Sequence, residues 1–432
     1  MARSTPAALV LGGALIATSL LAGCSIPASQ PAGPTSSVAL RPTLEPAFGL
    51  TWTMAPAVEL PGDAFAIPSN PATGPANPGT AGHPGHFPGQ SIIADVAVSG
   101  PRLVAVGYVG LGGSWHALAW TSEDGLAWTV RDLDPRPGSF AVAVTVAADG
   151  SFVAVGRVGR EAAAWRTPDG VVWSPAVVAG SGGKAAGGGA DRPPELAERM
   201  TAIVATPLGL VAGGSVGPEL GARRARLWRS TDGAAWRPVA DEDAFDGGEV
   251  RALATLPTGL VALGRLGTGQ RSTGSVAWRS TDAGSWTRID DPALAGGLVA
   301  AVAVTDGRLL AVGSDLDERE AVAWSSSDGT TWARAPSEAA RLHVGEKIRM
   351  TDVVSTPAGF VAVGNYVGVQ FGTGTSWLSR DGVSWSQAPD QPTLGQAEPE
   401  AVVTWGQRLV IVGSRGAPDN YIPSIWISPG LP

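Results

Sequence analysis

The sequence predicts an all-β fold, a seven-bladed β-propeller of four-stranded blades whose last blade is closed by an N-terminal strand. Three observations predict it. Tryptophans recur in pairs eight residues apart, an apolar run ending in glycine precedes each pair, and turn-forming residues punctuate the chain throughout. The 432 residues include 59 Gly and 35 Pro, and only 16% are charged. Average chains hold roughly 12% Gly plus Pro and about 25% charged residues, so short strands joined by turns fit this composition and a helical bundle does not.

Taken in chain order, residues 1–23 carry one charged side chain, Arg3, and an apolar run from Ala7 to Leu21. That is the pattern of an export signal rather than of a membrane span in the mature protein. It ends in Leu21-Ala22-Gly23-Cys24, which resembles the lipobox of bacterial lipoproteins at all four positions. The resemblance implies an acylated Cys24 that anchors the chain to a lipid membrane on its extracytoplasmic side, in the cell envelope. Durable anchoring follows when two or more acyl chains are attached. Cys24 is the single cysteine, which excludes an intrachain disulfide, a multi-thiolate metal site and a Cys nucleophile elsewhere. The remainder of 24–45 is rich in Pro, Ser and Ala and reads as a flexible tether. The propeller is expected over 46–432, with a closing strand at 46–56 and a Pro/Gly-rich connector at 57–90.

Fourteen of the 16 tryptophans follow one pattern, Trp-x-Ser/Thr-x-Asp-Gly-x-x-Trp. Copies begin at Trp120, Trp165, Trp228, Trp278, Trp324 and Trp377, and their aspartates are Asp124, Asp169, Asp232, Asp282, Asp328 and Asp381. A seventh copy is split, Trp426-Ile427-Ser428 closing the chain and Thr51-Trp52 opening the folded part. Upstream of each lies an apolar run ending in Gly, as in Leu103-Val104-Ala105-Val106-Gly107, and before that a further β-rich stretch and a tight turn such as Asp149-Gly150. Four strand-sized pieces at this period are the signature of a propeller blade. The split copy predicts that the strand around Leu50 to Met54 pairs beside the strand ending at Trp426, leaving no open edge. In each turn the Asp and Ser/Thr side chains can accept backbone N–H bonds while Gly supplies a positive φ.

At these residues the chain resembles the Asp-box, or bacterial neuraminidase, repeat propellers, a family that includes sialidases, sortilin-type receptors and assembly-factor propellers of photosynthetic membranes. The box here is one residue shorter than the family's, the fourth copy has Ala283 in the Gly slot, and the seventh has Gly430 where Asp belongs. The resemblance implies architecture over 46–432. In that family the box is a structural turn and not a catalytic site.

Sialidase activity would require an Arg triad, a Tyr nucleophile with a supporting Glu, and an Asp acid. The family's Arg-Ile-Pro motif is absent, and Tyr108, Tyr366 and Tyr421 are the only tyrosines. For another glycoside hydrolase the best carboxylate pair is Asp95 and Asp352, in one register of the first strands of units one and six. Gly213-Gly214-Ser215-Val216-Gly217 matches a nucleophile elbow in string only, because it ends a propeller strand. His83, His86, His116 and His343 form no ligand set, and the acidic loop Asp315–Glu320 lacks calcium-loop spacing. No metal and no cofactor is therefore expected, and without a basic stripe, at a net charge of −8, neither is a nucleic acid partner.

The function expected is a membrane-anchored, monomeric binding or scaffold protein for an envelope protein or ligand. The alternative is a sialidase-like hydrolase of envelope or extracellular glycans. With the box turns on one face, the loops between second and third strands and between blades emerge on the other. They carry the candidate ligand-face residues Tyr108, Trp115, His116, Arg223, Arg224, Tyr366, Phe371 and Tyr421, aromatic and Arg types typical of interface anchors.

Overall fold

The computed structural model describes residues 49–56, 91–111, 114–180, 196–219, 221–240, 243–268, 271–336, 347–367, 372–417 and 420–432. Within them seven antiparallel meanders form the blades of a propeller. Their innermost strands are Ser91–Ser99, Ser139–Val146, Leu196–Thr206, Gly248–Leu256, Gly297–Thr305, Lys347–Thr356 and Ala397–Trp405. The expected closure is present. Thr53–Met54 pairs antiparallel with the third strand of blade 7, Thr53 opposite Ile427 and Met54 opposite Trp426. The Ala55 amide extends the pairing to the Ile425 carbonyl. Blade 3 also gains a fifth strand, Val177–Val178, which leaves blade 2 and lies parallel to the outer strand of blade 3.

Burial follows the tryptophan repeat. The first Trp of every copy, Trp120, Trp165, Trp228, Trp278, Trp324, Trp377 and Trp426, is at most 1% exposed. Each apolar cluster joins two adjacent blades: blades 4 and 5, for instance, share Val261, Leu263, Val299, Leu309 and Trp324, and blades 7 and 1 share Val410, Val412, Leu103 and Trp120. Some of the indole N–H groups find local acceptors, Trp278 donating to the Ala244 carbonyl and Trp426 to that of Thr393, whereas those of Trp120 and Trp377 are buried without a partner among the described residues. The turn motif has the geometry its residues suggest. In the first copy Asp124 Oδ1 accepts from Leu126 and Ala127 N–H, Ser122 Oγ accepts from Gly125 N–H, and Trp128 Nε1 donates to the Gly125 carbonyl. Those backbone donors hold the carboxylates of Asp124, Asp169, Asp232, Asp282, Asp328 and Asp381 below their ordinary range.

Every apolar run ends in glycine for a reason the pattern alone does not state. Each innermost strand carries a β-bulge, between Ile93 and Asp95 in blade 1 and at the corresponding place in the other six. The glycine lies opposite the bulge, where the two backbones approach so closely that a Cβ would fall 1.8–2.4 Å from a carbonyl oxygen. Bulges bend a strand and re-aim its side chains. Here they turn one extra residue per blade toward the axis.

Candidate functional site

The seven bulged residues, Ala94, Val142, Thr201, Arg251, Ala300, Thr351 and Glu400, all line one central cavity of about 580 Å³. One step nearer the start of the innermost strands stands a second layer, made by cross-strand pairs. Ile92 faces Tyr108, Phe140 faces Arg157, Glu249 faces Arg265 and Arg349 faces Asn365. Because second strands end and third strands begin here, the cavity opens on the face opposite the box turns.

Its walls differ in chemistry. Blades 1 and 2 contribute aromatic and aliphatic surface. The Tyr108 and Phe140 rings are 5.0 Å apart edge to face, Trp115 packs on both at 5.4 and 5.5 Å, and the Arg157 guanidinium lies 4.3 Å over Phe140. Such ring pairs prefer edge-on contact because of their quadrupoles. Blades 3, 4 and 6 contribute Arg199, Arg251, Arg265 and Arg349. Glu249 binds Arg199 at 2.6 Å and has Arg251 at 3.8 Å. Burial alone would raise the Glu249 carboxyl, but Arg251, Arg199 and Arg223 together hold it below its ordinary value.

Asp95 and Asp352 both line this cavity, and each is engaged with the backbone of the next blade. Asp95 accepts from Val96 N–H at 2.7 Å and from Val144 N–H of blade 2 at 2.8 Å. Asp352 accepts from Val402 N–H of blade 7 at 2.8 Å. In the other five blades the same register position is Ala143, Ala202, Ala252, Ala301 or Ala401. Burial pushes both carboxyls up to about 7 against the pull of these N–H donors, and Asp95 raises Asp352 further. Burial likewise lifts Glu400 to about 7, with Arg349 and Arg251 opposing it.

The remaining candidates separate by location. Tyr108 lines the cavity and Trp115 supports it. His116 pairs with Val109 in blade 1. Arg223 is only 4% exposed and spends its donors on Ser215 Oγ and the carbonyls of Pro218 and Ala197, so its side chain holds a loop instead of facing outward. Ser215, of the elbow-like string, is fully buried. Arg224 bonds Asp246 at 2.5 Å. Tyr366 packs against the cluster between blades 5 and 6. The Tyr421 hydroxyl donates to Glu398 at 2.7 Å. Cys24 and Phe371 lie outside the described residues, as do His83, His86 and His343. Among the described residues no three His, Cys, Asp or Glu side chains are placed to hold a metal ion.

The residues that sequence reasoning passed over are the cavity arginines and acids, Arg157, Arg199, Arg251, Arg265, Arg349, Glu249 and Glu400. Aligning the blades on their glycines would have found them, since Arg157 and Arg265 directly follow that glycine and Arg251 and Glu400 occupy bulges.

No protein-family model matches the chain, and no curated protein matches it in sequence. Similar solved structures include "YCF48 bound to D1 peptide", 17% identical with a TM-score of 0.49, covering 80% of this chain and 94% of that one. A sialidase of Trypanosoma rangeli is 14% identical with a TM-score of 0.44, covering 79% of this chain and 55% of that one. Virginiamycin B lyase from Staphylococcus aureus is 13% identical with a TM-score of 0.49, covering 78% and 95%. At these identities the likeness is one of fold alone.

Proposed function

We propose that the chain is a lipid-anchored, extracytoplasmic propeller that binds an envelope protein or ligand at the mouth of its central cavity without catalysing a reaction. The observation that carries this reading is how Asp95 and Asp352 are used. Both are tied to the backbone of the neighbouring blade, with blade 7 standing between them, whereas a glycoside hydrolase needs two carboxyls free to reach opposite sides of one bond. The hydrolase remains the second reading, because both carboxyls are lifted to about 7 and face a deep cavity.

Copurification of the detergent-solubilised full chain with its neighbours tests the proposal. A reproducible partner lost on alanine substitution of Tyr108 or Trp115 supports it. Release of reducing sugar from envelope glycans, abolished in Asp95→Asn or Asp352→Asn, would replace it with the hydrolase. The anchor is tested separately: Cys24→Ala should leave an unprocessed or mislocalised precursor, and wild-type protein found free in the medium with Cys24 unmodified would sink it.

A further inference from the structure

Resting on the reading of the cavity mouth as the ligand face, we propose that the cavity takes an amphipathic organic anion. Its oxyanion group sits against Arg251, Arg265 and Arg349, and its apolar or aromatic portion against Ile92, Tyr108 and Phe140. Each wall is complementary to one half of such a molecule, and both line one cavity. A cavity of about 580 Å³ is also within the roughly 300–1,000 Å³ usual for small-molecule sites.

The cationic wall is short of counter-charge. Arg251 has its nearest carboxylate oxygen 3.8 Å away, on a Glu249 already held by Arg199 at 2.6 Å. Arg265 donates Nε to the Val299 carbonyl and Arg349 donates Nε to Asn365 Oδ1. Among the described residues neither of these two makes an ion pair. Burial, with the neighbouring Arg251 and Arg349 charges, lowers the Arg265 guanidinium to about 9. Glu400 faces the same arginines but is itself lifted to about 7, so it neutralises them only in part. Two polar atoms nearby, Arg199 Nε and Glu249 Oε1, are buried without a hydrogen-bond partner.

Like charges crowded in a low-dielectric space cost stability unless an anion joins them. The fold supplies the room for one. Between blades 4 and 6 the cavity wall is Ala300, Ala301 and Val302, small side chains that leave room beside the guanidinium groups of the flanking blades. Planar guanidinium forks match carboxylate and phosphate geometry equally well.

The test is calorimetric titration of the detergent-solubilised full chain at low salt with inorganic phosphate, phenyl phosphate and benzoate. Phenyl phosphate should bind at least about tenfold more tightly than inorganic phosphate, which corresponds to ~1.4 kcal/mol. The tighter of phenyl phosphate and benzoate identifies the preferred oxyanion. Arg251→Gln and Arg349→Gln should each weaken the tighter probe at least about tenfold. Phe140→Ala should bring phenyl phosphate down to the level of inorganic phosphate and leave the latter unchanged.

In anion-free buffer Arg251→Gln should keep or raise the melting temperature, since it removes a cation from a repelling group. This variant carries the test if Arg349→Gln does not fold. Absence of binding by every probe at about 10 mM, equal binding by the arginine variants, or a melting temperature lowered as far as by a core truncation would each overturn the proposal. These readouts need no partner, so failure to copurify one leaves them standing, and detection of glycan hydrolysis would not alter them.

Discussion

Gly313 has no freedom to be anything else, because a Cβ there would lie 2.0 Å from the Leu298 carbonyl oxygen, which belongs to backbone that cannot swing away. Gly313→Ala should therefore destabilise by about 3 kcal/mol or more, beyond ordinary overpacking, as read by urea unfolding. Gly329 is restricted for a different reason. Its φ is +75° and a Cβ would meet Val261 Cγ2 at 2.5 Å, so Gly329→Ala should cost about 1–3 kcal/mol through strain and contact together. The fourth copy is the natural control, since Ala283 occupies the equivalent slot at φ +60° and is itself buried. Ala283→Gly should relieve the left-handed strain yet give up a packed methyl, leaving stability within about 1 kcal/mol of the parent; a loss of several kcal/mol would show that packing governs that turn. Both kinds of glycine were visible in the repeat. Only the turn glycine came with its reason, because a positive φ is a local demand, whereas the bulge glycine answers to a backbone some fifteen residues earlier in the chain, Leu298 for Gly313, that no short motif reveals.

The innermost strands explain why the cavity was harder to read than the fold. A period-two pattern predicts which side chains face inward, but a bulge in each strand shifts that register by one at the same point. Two successive residues of each strand, such as Arg251 and Ala252 or Glu400 and Ala401, therefore line the cavity, where an unbroken period of two would put only one of them there. Asp95 and Asp352 were found because they break a column of alanines, and the same strands give them a titration behaviour that can be measured. Free Asp and Glu titrate near 4, while burial lifts Asp95, Asp352 and Glu400 to about 7. Between those values the native state binds more protons than the unfolded chain, so this contribution is fully present below about pH 4 and is lost as pH rises through 7. The box-turn aspartates act in the opposite sense and lower down: their depressed carboxyls stabilise above about pH 4 and cease to below it. The melting temperature should thus fall between about pH 5 and 8, and Asp352→Asn should flatten that slope. The slope is the quantity to compare, since the Asn variant also loses an acceptor for Val402 N–H. A slope unchanged in Asp352→Asn would mean that this carboxyl is ionised throughout the range.

Closure of the ring couples the two ends of the described chain through a very short strand, which supplies the fourth strand of blade 7. Only Thr53 and Met54 form ladder pairs, so two residues of pairing would contribute little by themselves. Anchoring comes from the side chains around them. Trp52 is 4% exposed, its Nε1 donates to Ser376 Oγ in blade 6, and its backbone is held by Gln391 and Thr393. Leu50 and Trp52 share an apolar cluster with Leu378, Ile411 and Trp426, placing the closing segment in the joint between blades 6 and 7 as well as on the edge of blade 7. Trp52→Ala should accordingly cost about 3–5 kcal/mol, the range for truncating a buried Trp. Met54→Ala, at a side chain 38% exposed, should cost under about 1 kcal/mol. Deleting residues 49–56 should lower stability at least as far as Trp52→Ala and leave the strand Asn420–Ile427 with a free edge, which invites association between chains. Chemical denaturation together with light scattering reads both effects. A deletion that melts at the parent temperature and stays monodisperse would mean that blade 7 stands on three strands and that the ring needs no latch.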